Sequence, residues 1–162
     1  MFTDASHNTE YKIGTWAMWA KLNGMTERYS GILKQSAPTS NYAELCAIAN
    51  GLVVIKKVFN PPADTKIIIQ SDSIAALETI RKYTSKSLFM QKVVIYIHEL
   101  KYQSGWILDL RHVKGHEGTK TKRSAVNTWC DKACKKQMGL ALEALENRQQ
   151  KLPFEEMQDA AN

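Results

Sequence analysis

Lys66-Ile67-Ile68-Ile69-Gln70-Ser71-Asp72-Ser73 is a short, almost wholly apolar run, rich in β-branched residues, that closes on a carboxylate. Branching at Cβ favours a pleated backbone, and a continuous apolar run of this length is expected of a buried strand. The period changes on both sides of it. Leu45, Ile48, Ala49, Leu52 and Ile55 recur at helical spacing before it, and Ile74, Leu77 and Ile80 mark a short helix after it. Asn60-Pro61-Pro62 separates the first helix from the strand, because proline cannot continue a helix. A buried strand framed by helices implies an α/β architecture.

Toward the N-terminus, Met1–Ser6 reads as a short strand, and Thr15–Leu22 and Arg28–Gln35 as two more. Asn23-Gly24 between the last two is a strong hairpin signal, so the three strands suggest an antiparallel meander. Toward the C-terminus, Met90, Val93, Val94, Ile97 and Leu100 define a longer helix, and Trp106, Leu108 and Leu110 alternate as a fifth strand. The loop Gly115–Ser124 then leads into a helix near Ala125–Met138, and Leu140, Leu142 and Leu145 predict a further helix before Pro153. The sum is a mixed five-stranded sheet, three antiparallel strands then two parallel additions, flanked by helices. Residues 1–138 form the predicted domain, and 139–162 a C-terminal helical tail.

The 162 residues suit one domain, and a hydrophobic fraction of 44% with four Trp excludes a disordered chain. No apolar run approaches the roughly 18 residues of a membrane span. Met1-Phe2-Thr3-Asp4 has no basic region leading into an apolar one, so a cytoplasmic protein without a secretory signal is expected. Three cysteines are too few for a disulfide framework. Cys130 and Cys134, one helical turn apart, lack the further ligands of a zinc site, so reduced thiols are expected. The net charge of +6 is uneven: Lys101 to Lys136 holds nine Lys or Arg against three acids, whereas Gly139 to Asn162 holds two bases against five acids. A basic stretch of this kind suits a polyanionic partner or a solvated face.

Four acids stand in contexts where a carboxylate is costly: Asp4, Glu44 at the head of the first helical stripe, Asp72 at the end of the apolar strand, and Asp131 after Trp129-Cys130. Each has a bland reading. Asp72 can cap the following helix, Glu44 can be a first-turn acid favoured by the helix dipole, and Asp131 can be a surface residue. Brought together they would repel, and hard divalent cations with oxygen ligands relieve such repulsion.

Thr3-Asp4-Ala5-Ser6, Asn41-Tyr42-Ala43-Glu44-Leu45, Asp72-Ser73, and Lys114-Gly115-His116 followed by Cys130-Asp131 together resemble type 1 ribonuclease H over roughly Met1 to Gly139. The resemblance implies that these elements meet at one rim of the sheet. It implies a hydrolase cutting the RNA strand of RNA/DNA hybrids to 3′-hydroxyl and 5′-phosphate ends, acting with two Mg²⁺ ions, or Mn²⁺ in their place. In that scheme cations about 3.5–4 Å apart clamp the attacking and leaving oxygens. Asp4 would bridge both, Asp131 would join it at the water-activating ion, and Glu44 and Asp72 would hold the other. His116 matches the family's mobile-loop histidine, which assists proton transfer or product release. Thr39, Ser40 and Asn41 match its minor-groove loop, with Asn41 the best reader of a 2′-hydroxyl. Ser6, Ser73, Lys114, Lys120, Lys122 and Arg123 complete the expected substrate contacts.

The chain also departs from the family. Ala5 replaces a glycine, and His7-Asn8-Thr9-Glu10-Tyr11-Lys12 replaces a glycine-rich turn. Ile74 stands where bacterial members often carry a polar contact, and the loop between His116 and Asp131 is longer. Only Thr-Ser-Lys-Ser-Leu-Phe-Met lies between Tyr83 and Gln91, so the basic protrusion of the bacterial enzymes is missing. Hybrid affinity is then expected from the 101–136 stretch, a partner or another domain. The short first strand suggests a natural start upstream, or a truncated or viral variant. A monomer is expected. Two alternatives share the fold: a DNA nuclease of the junction-resolvase or integrase-like type, and a non-catalytic nucleic-acid-binding module.

Overall fold

The computed structural model describes residues 1–114 and 121–150. Strands β1 (Phe2–Asn8), β2 (Ile13–Leu22) and β3 (Met25–Ile32) form the expected meander. Leu22 pairs with Met25, so Asn23 and Gly24 make a two-residue turn, with φ of 49° and 84°. Positive φ at both positions gives the turn whose twist matches that of the strands, and Asn-Gly is the pair that tolerates it best. Helix α1 (Ser40–Val54) continues into a π-helical turn, Ile55–Phe59, which stops at Asn60 in the left-handed region just before Pro61-Pro62. Then follow β4 (Lys66–Ser71), α2 (Ile74–Lys82), α3 (Leu88–Ser104), β5 (Ile107–His112) and α4 (Lys122–Gln150).

The sheet order is β3-β2-β1-β4-β5. β2 runs antiparallel to β1 and β3, while β4 is parallel to both β1 and β5. On one face α1 packs on β1 and β2, with α2 and α3 against it, over a core that includes Met18, Leu45, Leu52, Ile69, Leu77 and Ile97. On the other face α4 lies across β1, β2 and β3. Ala17, one residue from Met18 and therefore on the opposite side of the pleat, joins Cys130 and Cys134 in that second, smaller cluster.

The strand read as Arg28–Gln35 is Met25–Ile32, the first strand runs on to Asn8 instead of ending at Ser6, and two larger expectations change. The apolar run at β4 is buried on one face only: Ile67, Ile69 and Ser71 are buried, whereas Lys66 is exposed and Ile68 and Gln70 are half-buried. The cause is α4, which crosses the first three strands and leaves β4 and β5 with less cover on its side. The two predicted C-terminal helices are one, because α4 runs unbroken through Gly139. A helical glycine costs about 1 kcal/mol relative to alanine, and burial of Met138 and Ala141 on either side offsets it.

A reciprocal pair of hydrogen bonds fixes α4 on the sheet. The Thr15 hydroxyl donates to the Cys134 carbonyl at 2.9 Å, and the Cys134 thiol donates to the Asp4 carbonyl at 3.1 Å. All three cysteines are free. Burial, the largest cause, raises the Cys130 and Cys134 thiols well above the usual range, so both stay protonated. None of the helices among the described residues is long and apolar enough to cross a membrane.

Candidate active site

Asp4, Glu44 and Asp72 arrive from three different elements, and their carboxylate oxygens lie within 4.8 Å of one another. Asp4 sits mid-strand in β1, paired with Ala17 of β2, and its Oδ1 accepts the Ala5 N–H at 2.9 Å. Only 6% of it is exposed. Glu44 lies in the second turn of α1. Thr39 caps that helix by accepting the Tyr42 N–H at 3.2 Å. The first turn holds no acid, so the dipole reading of Glu44 does not apply. Asp72 follows the last residue of β4, and it is Ser73 that caps α2, accepting the Ala76 N–H at 3.2 Å. The capping reading of Asp72 is thereby replaced.

Electrostatics in this cluster are unfavourable by construction. The Glu44 carboxyl is pushed up to about 9, first by burial and then by Asp4 and Asp72 beside it. The Asp4 carboxyl is raised to about 7 by burial and the Asp72 charge, with a smaller contribution from Asp131, against the Ala5 N–H and Lys135 that favour its charged form. Glu44 Oε2 is buried and has no hydrogen-bond partner among the described residues. Native proteins rarely leave such an oxygen orphaned. A divalent cation fits this donor set, since all the donors are hard oxygens of the kind Mg²⁺ and Mn²⁺ prefer. The nearby Cys134 thiol is protonated and already engaged.

Asp131 is outside this triplet. It projects from α4 with both carboxylate oxygens on the Lys135 ammonium, at 2.9 and 3.0 Å. Its charge still reaches Asp4 as a neighbour. Lys135 was not singled out from the sequence, although Asp and Lys at i,i+4 is the spacing at which helical charges pair.

The remaining expected residues are spread around this rim. Thr39, Ser40 and Asn41 are exposed at the start of α1, Ser6 is half-buried in β1 two residues from Asp4, and Ser73 is half-buried beside Asp72. Lys114 is exposed after β5, Lys122 and Arg123 begin α4, and His116 and Lys120 lie outside the described residues. Within the basic stretch, Arg111 is paired with Asp109 at 2.7 Å and Lys135 with Asp131, so part of its charge is neutralised locally.

The RNase H family model matches residues 1–139. The chain belongs to the RNase H family. Membership makes it an enzyme of the ribonuclease H class. Solved structures share the fold at low identity. The N-terminal RNase H domain of Rv2228c from Mycobacterium tuberculosis, solved as a fusion with maltose-binding protein, is 16% identical at a TM-score of 0.67, covering 88% of this chain and 94% of that one. RNase H1 from the halophilic archaeon Halobacterium salinarum is 13% identical at 0.66, covering 85% and 95%. LC11-RNase H1, from a compost metagenome and solved with an RNA/DNA hybrid, is 16% identical at 0.65, covering 85% and 96%. No curated protein matches the chain.

Proposed function

We propose that the chain hydrolyses the RNA strand of RNA/DNA hybrids, with Asp4, Glu44 and Asp72 holding divalent cations and the products bearing 3′-hydroxyl and 5′-phosphate ends. The observation that carries this reading is the carboxylate triplet, with Asp4 buried, Glu44 and Asp72 half-buried, and one Glu44 oxygen orphaned. Mg²⁺, or Mn²⁺ in its place, would supply an activated water and stabilise the charge developing on the phosphate.

The chain's own groups have separable tasks. Asp4, fixed by β2 on one side and by the Cys134 thiol on its own carbonyl, sets the position of the cluster. Asp131 is the fourth acid, and Lys135 holds its carboxylate in place on α4. Asn41, exposed beside the capping Thr39, offers both a donor and an acceptor to a 2′-hydroxyl. Ser40, Lys114 and the start of α4 supply further polar and cationic contacts to the backbone. His116 carries a proton to or from the scissile phosphate or the leaving oxygen, a task its intrinsic pKa near 6.5 suits.

The test is substrate choice. Labelled RNA paired to DNA should be cut in Mg²⁺ and spared in EDTA, duplex DNA should be left intact, and duplex RNA should be cut poorly or not at all. Only the hybrid pairs 2′-hydroxyls on one strand with a groove between the A and B forms. Cutting in EDTA would remove the metal site, and equal cutting of a DNA four-way junction would favour a resolvase instead.

A further inference from the structure

We propose that the groove between α1, α3 and the end of β3 binds an unpaired single strand, so that a hybrid carrying an overhang is held more tightly than a blunt one. This rests on the hybrid reading above and adds a substrate preference to it. The groove encloses about 700 Å³. Trp16, Tyr42, Phe89 and Tyr96 line it, and among the described residues the charged side chains in its lining are Lys34 and Lys92, both cationic. Phe89 is 61% exposed and Tyr96 44%. Rings left in water represent apolar area that a ligand can cover.

Part of the aromatic wall is held in place by its own contacts. Tyr42 is buried at the start of α1, its hydroxyl donates to Gln35 Oε1 at 3.2 Å, and Phe89 meets its ring edge-on with centroids 6.5 Å apart. The groove shares α1 with the candidate active site, but Tyr42, Cys46, Ala49 and Asn50 form one face of that helix, and Glu44, two residues from Tyr42, lies about 200° around it on the other side. A cleft walled by rings with only cations in its lining fits phosphates and base faces together. A duplex cannot use such a wall, because its bases are already stacked and paired, whereas every unpaired base presents a free face. Leu88, next to Phe89 at the start of α3, is 79% exposed and adds apolar area to that end of the helix. The short Tyr83–Gln91 connection carries Lys86 beside it.

The experiment compares fluorescence anisotropy of a labelled blunt hybrid with that of the same hybrid carrying an overhang of about 6 nucleotides, within the roughly 4–16 that single-strand platforms span. Overhangs of DNA and of RNA form separate arms, and EDTA prevents turnover. The overhang is expected to tighten Kd by about 10-fold, in line with stacking of one or two bases, in at least one arm. In Phe89→Ala and in Lys92→Glu the ratio of blunt to overhang Kd should fall to about 1. Both residues are exposed, and unchanged circular dichroism melting of each variant confirms that it folds. Equal Kd values for blunt and overhang substrates in the native chain would overturn the proposal, as would a gain that survives both substitutions. Cleavage of the blunt hybrid in Mg²⁺ by the native chain is scored separately. Its failure sinks the hydrolase reading, and loss of the overhang effect alone sinks the groove.

Discussion

The two faces of the sheet solve opposite problems. Beneath α1, α2 and α3 the interior is aliphatic and closed, with Met18, Leu45, Ile48, Leu52, Ile69 and Leu77 almost wholly excluded from water. On the other face α4 covers only β1 to β3. Where the middle of β1, the end of β4 and the second turn of α1 meet, full or partial burial falls on carboxylates instead of methyl groups. The first region gains stability from apolar burial, while the second is held in an unfavourable electrostatic state by the rigidity of its surroundings. Stability and chemistry should therefore separate when each region is altered alone.

The largest effect is expected where the acids meet. Asp4→Asn should reduce hybrid cleavage by more than about 10³-fold, equivalent to roughly 4 kcal/mol of transition-state stabilisation. Its melting temperature should be unchanged or higher, because one member of a repelling triplet is neutralised. Near-native turnover in this variant would erase the distinction between the regions. Leu52→Ala, in the closed core, should do the reverse. It removes a fully buried side chain, costs about 2–5 kcal/mol in denaturant unfolding, and leaves turnover near native at temperatures where the fold persists. A smaller loss than about 1 kcal/mol would mean that this face is less tightly packed than its burial indicates.

The smallest effect is a pH dependence confined to the acid rim. Asp4 is raised to about 7 and Glu44 to about 9, above the ordinary carboxylate range, so the folded state binds more protons than the unfolded state. The associated stability is complete below about pH 4 and is lost as pH rises through 7 and then 9. In EDTA the melting temperature should fall by on the order of 5 °C between pH 5 and 9, and Glu44→Gln should flatten the slope. A melting temperature that climbs over this range would contradict the repulsion.

The same contrast explains what was legible in the sequence. The order of elements along the chain, the Asn23-Gly24 hairpin and the stripe Leu45-Ile48-Leu52 are local signals, and each appears in place. The one-sided burial of β4 could not be read from Ile67-Ile68-Ile69, because the apolar run does not show how far α4 extends its cover. The boundary placed between Met138 and Gly139 does not break the helix, because Met138 and Ala141 pack well enough to carry it through the glycine. Three of the four acids converge as the family resemblance implied, and the fourth turns to Lys135, a pairing decided by side-chain geometry within one helix. The aromatic groove gave no sequence motif at all. Trp16, Tyr42 and Phe89 come from a strand and two helices, and only the fold makes them neighbours.

The Thr15–Cys134–Asp4 clasp has a kinetic consequence. A thiol at 1% exposure that donates to a carbonyl cannot meet a reagent while the clasp is shut. Alkylation of Cys134 must wait for α4 to lift from the strand that carries Asp4, so at reagent concentrations high enough to outpace reclosing its labelling rate counts openings of the helix. The cysteine thus acts as a built-in clock for how often the floor of the acid cluster comes apart.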